Sequence, residues 1–182
     1  MTCLAALFAL ALPLAATLRS PAPQSDWKTD LKRELPLLGH RNWIVIADSA
    51  YPWQTSLGVE TVDTRADQIE VTKAVLEALS HVEHVRPIIF MDSELPFVPE
   101  KDAKGVEAYR KEIAAVLGSR KVTTLPHEQI ISKLDEAGKT FHVLLLKTKM
   151  TIPYTSVFMQ LNCGYWSDEA EQRMREAIAG HG

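Results

Sequence analysis

A three-layer α/β/α fold around a largely parallel sheet is what this sequence predicts, on three observations. Short apolar runs rich in β-branched residues alternate with segments of helical periodicity. Glycine or proline punctuates the segment ends, and 182 residues that are 46% hydrophobic supply one packed core rather than two.

Taken in order, Ser25 is placed to cap a first helix in which Trp27, Leu31, Leu35 and Leu38 recur at helical spacing, until Pro36 and Gly39 end it and deliver His40. Trp43 to Ala47 is a continuous apolar run of buried-strand character, followed at once by Asp48 and soon by Pro52. Asp48 therefore belongs at a strand's C-terminal edge. A short strand near Glu60 to Thr64 precedes a helix expected from about Thr64, with Asp67 in its first turn and Ile69, Leu76 and Leu79 on the buried stripe. Val85 to Met91 forms the next strand, and a polar, proline-containing loop runs from Asp92 to Lys104.

The following helix carries Val106, Tyr109, Ile113 and Val116 on one face and stops at Gly118. Then come strand Lys121 to Leu125, a helix from His127 to Ala137 with Ile130, Ile131 and Leu134 inward, and strand Phe141 to Leu146. After a loop, Ser156 to Leu161 is the last strand, and a final helix opens at Ser167 and carries Met174 and Ile178. In open parallel sheets ligands bind beyond the carboxyl ends of the strands, so the polar residues there are the first candidates for function.

Composition removes several partners. A formal net charge of -3 and a pI near 6.1 create no basic field for a phosphate backbone, so nucleic acid is not expected as a partner. Two cysteines, Cys3 and Cys163, build no disulfide framework. Leu4 to Leu18 is almost wholly apolar, the length of a secretion signal and short for a membrane span. Residues 1–18 therefore read as an export signal, 19–25 as a Ser/Pro linker, 26–166 as the domain and 167–182 as a helical extension. The expected mature protein is periplasmic or secreted, without a membrane span; a mis-assigned start ahead of a cytoplasmic protein is the alternative.

No dinucleotide fingerprint, phosphate loop, Gly-x-Ser-x-Gly elbow or cysteine pair at metal spacing is present, and neither metal nor cofactor is expected. His81 and His84 stand three apart near a helix end, yet lack a third ligand; their simpler role is beside a helix C-terminus. There remain His40, Asp48, Arg65 with Asp67, His127, and Tyr154 with Ser156. Each also has a plain structural role: a turn after Gly39, a carboxylate bonded to backbone N–H groups, an Arg65–Asp67 pair, a helix start. Phe97, Trp53 and Tyr51 are loop aromatics that either stack on a ligand or pack locally.

The order of these residues carries a resemblance. Leu38-Gly39-His40, an apolar strand and Asp48-Ser49-Ala50-Tyr51-Pro52 resemble the opening of the ribose pyranase and fucose mutarotase (RbsD/FucU-like) family. Arg65-Ala66-Asp67 is similar to the fucose branch, and Thr124 to Gln129 with His127-Glu128-Gln129 to the ribose branch. Pro153-Tyr154, the strand to Leu161 and Gly164 resemble the family's ending, so the match runs from about Leu35 to Tyr165. The resemblance implies an RbsD-like fold and an isomerase that interconverts pyranose and furanose forms, or anomers, of a monosaccharide substrate. It implies His40 as the general acid at the ring oxygen, with Asp48, Arg65, Asp67, His127, Tyr154 and Ser156 binding the sugar. It also implies a ring-like homo-oligomer, a decamer on the family pattern, with sites at subunit junctions.

Two departures set the alternative. Ser156 stands where the family has asparagine, and Lys149-Met150 where it has Gly-Glu. They favour a non-catalytic, exported monosaccharide-binding protein on the same fold as the second reading; a third is a structural oligomer, or an enzyme for acidic sugars that Lys149 attracts.

Overall fold

The computed structural model describes residues 26–181, so the expected export signal, the linker and the Ser25 cap lie outside the described residues. Its elements are α1 (Trp27–Glu34), β1 (Trp43–Ala47), β2 (Val59–Asp63), α2 (Gln68–Ser80), β3 (Val85–Asp92), α3 (Val106–Leu117), β4 (Val122–Leu125), α4 (His127–Ala137), β5 (Val143–Lys147), β6 (Val157–Cys163) and α5 (Asp168–Ala179). The six strands form one sheet in the order β2-β5-β1-β6-β3-β4. Within it β2, β5 and β1 are mutually parallel, as are β3 and β4, while β6 runs antiparallel between β1 and β3. The reversal follows from the connection: only residues 148–156 join β5 to β6, too few for the helical crossover that a parallel return needs.

Period-two alternation divides the apolar strands between two faces. Ile44, Ile46, Leu144, Leu146, Val157, Met159 and Leu161 pack under α1, α2 and α3. Trp43, Val45, Leu145 and Phe158 pack with Ile130 and Leu134 of α4 on the other face. That is the expected α/β/α layering, with one face covered by a single helix. α5 buries no residue; Met174 and Ile178 are exposed, and Arg86 holds the helix start through Asp168 at 2.7 Å.

Several boundaries differ from expectation for local reasons. Asp26 caps α1 by accepting from the Lys28 N–H. Pro36 does not stop the chain's coiling: it falls at the start of a 3-10 turn, Leu35–Leu37, where its missing N–H has no bond to make. α2 begins at Gln68 rather than near Thr64, because Arg65 adopts a left-handed φ of 51° and Asp67 is the extended N-cap. On α3 it is Leu117, not Val116, that completes the buried stripe with Val106, Tyr109 and Ile113. His84 places Nε2 3.3 Å from the Leu35 carbonyl and 3.1 Å from that of Leu38, sealing the turn after α1, while His81 is the C-cap of α2.

Candidate functional site

The ends of β1, β3, β4 and β5 and the start of the reversed β6 meet at one edge of the sheet, and the loops there build a cleft of about 310 Å³. Asp48, Tyr51, Gln54, His127, Glu128 and Tyr154 line it. Asp48 leaves the buried end of β1 with both carboxylate oxygens engaged. Oδ1 accepts from the Ala50 N–H at 2.9 Å and Oδ2 from the Ser156 hydroxyl at 3.3 Å. Ser156 is 2% exposed and also accepts from the Asp48 N–H, so it fixes the Asp48 carboxylate from behind rather than facing the cleft.

His127 is the first residue of α4, and its backbone N–H donates to the Glu94 carboxylate at 2.9 and 3.2 Å. Glu94 thereby supplies the cap that Pro126, the N-cap residue, cannot, and the bond holds its carboxyl below the usual carboxylate range. The His127 ring sits with Nδ1 3.1 Å from Asp92 Oδ1. When Asp92 is ionised its carboxylate only accepts, so Nδ1 is the donor in this contact and a neutral imidazole keeps its lone pair on Nε2. Tyr154 packs edge-on against the imidazole, ring centres 5.5 Å apart, from a left-handed backbone with φ 60° that an L side chain adopts only when its surroundings hold it.

The surroundings are a buried polar network. Gln68, fully buried at the start of α2, donates Nε2 to the Tyr109 hydroxyl at 3.2 Å and to the Thr155 carbonyl, and accepts from Thr148 at 3.1 Å. Tyr109 donates to the same Thr155 carbonyl at 2.6 Å, and burial raises its phenol. These bonds pin the backbone between Tyr154 and Ser156. Tyr51 is likewise neutral at physiological pH, its phenol pushed up to about 12 by burial and by the Asp135, Asp48 and Asp92 carboxylates.

Asp92 is 1% exposed, and its Oδ2 has no hydrogen-bond partner. Burial pushes its carboxyl up to about 6 against the opposing pull of His127. A folded-state value raised above the unfolded 3.8 gives a stabilising contribution that is full below about pH 4 and lost as pH rises through about 6. Asp92→Asn keeps an acceptor for Nδ1–H and removes that titration. Urea denaturation between pH 4 and pH 7 is expected to show the variant losing less stability than the wild type over this range; parallel profiles would assign the titration to another group.

The remaining expected site residues lie elsewhere. Arg65 and Asp67 are near the same sheet edge, past the outer strand β2, and do not line the cleft. Asp67 accepts from the Ile69 and Glu70 N–H groups as the α2 cap, and Arg65 pairs with Asp63 at 3.4 Å rather than with Asp67. His40 is exposed at the opposite edge, before β1. Five strand residues alone span roughly 16 Å at about 3.3 Å per residue, so His40 cannot reach the cleft of its own chain. Asp92, Glu94 and Gln68 were not anticipated. Asp92 carried the signature that marked Asp48, an acid directly after an apolar strand; Glu94 and Gln68 had no comparable local signal.

Residues 27–163 match the RbsD / FucU transport protein family. No curated protein matches. Bacillus subtilis RbsD complexed with D-ribose superposes with a TM-score of 0.50 at 20% identity, covering 72% of this chain and 90% of that one. Fucose mutarotase in complex with L-fucose from Streptococcus pneumoniae gives 0.48 at 22% identity, covering 72% and 89%. FucU from Bifidobacterium longum gives 0.48 at 19% identity, covering 74% and 92%.

Proposed function

Because the chain belongs to the RbsD / FucU transport protein family, we propose that it is a monosaccharide mutarotase, interconverting anomers or ring forms of a free sugar by general acid-base catalysis. The observation that carries the reading is the convergence of Asp48, Tyr154 and the Asp92-oriented His127 on one cleft.

Opening a hemiacetal needs one proton delivered to the ring oxygen and one taken from the anomeric hydroxyl. It forms no covalent intermediate and transfers no electron pair to a cofactor. His127 Nε2 is a proton acceptor for the anomeric hydroxyl, and Asp92 opposite Nδ1 stabilises the imidazolium that results. Asp48, immobilised by Ala50 and Ser156, accepts from a neighbouring sugar hydroxyl. Tyr51 lines the same wall, its phenol protonated at neutral pH. Assistance of roughly 10²–10⁴-fold suits a reaction that already proceeds in water.

His40 fits as the acid that serves the ring oxygen only if a second copy of the chain presents it to the cleft. In that arrangement the site lies at a subunit junction of a ring-like homo-oligomer, and one chain supplies Asp48 and His127 while its neighbour supplies His40. Complementation tests this: His40→Ala and Asp48→Asn proteins, each impaired alone, are expected to regain a substantial fraction of activity after being unfolded and refolded together. No gain on mixing would return His40 to a role in its own turn.

Exchange NMR of the anomeric protons of ribose, fucose and galactose, with and without protein, tests the activity itself. Acceleration for at least one sugar supports a mutarotase. Saturable binding without acceleration selects the non-catalytic sugar-binding reading.

A further inference from the structure

At the sheet edge opposite the cleft, three metal-ligating side chains from three elements point at one another. Glu34 ends α1, Glu60 lies in β2, and His142 directly precedes β5. β2 and β5 are paired with Glu60 beside Leu144, so Glu60 and His142 are diagonal neighbours on the face that α1 covers. His142 Nε2 is 3.7 Å from Glu60 Oε2 and 3.9 Å from Glu34 Oε2, and one ligand atom from each of the three residues falls within 4.8 Å of the others.

We propose that Glu34, Glu60 and His142 form a binding site for a divalent transition-metal ion, with zinc the best fit to one imidazole and two carboxylates. The site rests on none of the residues of the mutarotase reading.

Three observations carry it. His142 Nε2 is buried and has no hydrogen-bond partner, an expensive state for an imidazole nitrogen unless something else meets it. The separations are too long for a protonated imidazole to bond either carboxylate. Tetrahedral zinc holds ligands at about 2.1 Å roughly 3.4 Å from one another, so closing the 3.7 and 3.9 Å gaps onto an ion takes side-chain shifts of about half an ångström or less. Finally, the carboxylates are already oriented. Arg33 holds Glu34 Oε1 through Nε at 3.0 Å and faces Glu60 Oε1 through Nη2 at 3.6 Å, which turns the two Oε2 atoms toward the imidazole. Hydrogen bonding of the non-ligating oxygen is how ligating carboxylates are commonly fixed. A single guanidinium, shared also with Asp30 at 2.7 Å, leaves the Glu34/Glu60 pair short of positive charge that a dication supplies. Three protein ligands leave a fourth position for water.

Among the described residues no other group of three His, Cys, Asp or Glu side chains reaches this proximity. The His142 carbonyl also accepts from the Trp43 N–H at 3.1 Å and from Asn42 Nδ2 at 3.3 Å, so an ion here would stiffen the turn that presents His40.

The test is isothermal titration of Zn²⁺ into the full chain after removal of metal with a chelator, paired with the visible spectrum of the Co²⁺-loaded protein. One equivalent is expected to bind. His142→Ala and Glu60→Gln are each expected to weaken binding by about tenfold or more, His81→Ala to leave it unchanged, and the Co²⁺ bands to vanish with His142→Ala. Chelated His142→Ala and Glu60→Gln should melt within a few degrees of the chelated wild type, so that weaker binding does not reflect unfolding. Absence of both Zn²⁺ heat and Co²⁺ bands, or binding that survives both substitutions, would overturn the site.

Discussion

Replacing His127 with alanine is expected to reduce the acceleration of anomeric exchange by about 10²-fold or more, the usual scale of a positioned general base. The change removes the proton carrier and leaves Asp92 buried with neither oxygen bonded, since Oδ1 meets Nδ1 and Oδ2 is already unpartnered. An unpaired buried polar group costs about 1–3 kcal/mol by itself, so the alanine variant also tests stability. His127→Asn separates the two effects. Its side-chain N–H can still donate to Asp92, but an amide does not accept and release protons near neutral pH. Both variants should lose the acceleration, while the asparagine variant should melt closer to the wild type. Exchange NMR beside thermal unfolding reads the two quantities, and full activity in His127→Asn would remove His127 from the chemistry.

Phe158→Ala is expected to cost about 3–5 kcal/mol, the range for truncating a buried phenylalanine. Phe158 is fully buried on the face that α4 alone covers, opposite Val45 on one side and Phe90 on the other. It also lies on β6, the one strand that joins the two parallel blocks of the sheet. With one helix over this face, little else can move in to refill the space, so the cavity penalty should persist. Against a typical total stability of about 5–15 kcal/mol, the loss is a large share. Urea denaturation should show a lower midpoint with an unchanged slope. A loss below about 1 kcal/mol would mean that α4 settles onto the sheet and closes the gap.

The placement of α4 links these two results. Ile130 and Leu134 pack it on Phe158 and its neighbours, and its first residue is His127. Packing in this layer therefore sets where the imidazole stands relative to Asp48, and a partial loss of activity in Phe158→Ala would follow from misplacement rather than from chemistry.

Element type was legible in the chain because it is written at short range. The run Trp43 to Ala47 can only be a buried strand, Gly118 and Gly138 punctuate α3 and α4, and the ordered motifs from Leu38 to Gly164 were enough for the family. That Asp48, His127 and Tyr154 belong to strand ends was also readable, since each follows or precedes an apolar run. Local chemistry fixes such features through periodicity and capping, which act over three or four residues.

The partners of those residues were decided by tertiary structure alone. Asp92 reaches His127 across 35 positions, Ser156 reaches Asp48 across 108, and Gln68 reaches Thr155 across 87. Sheet order brings them together, and the reversal of β6 turns Tyr154 and Ser156 to the edge where the parallel strands end. His40, by contrast, stands at the far end of the strand that leads to Asp48 by chain order alone. A sequence specifies which faces are apolar; which polar groups meet depends on how separate strands pair, and that is settled only when the whole sheet buries both faces.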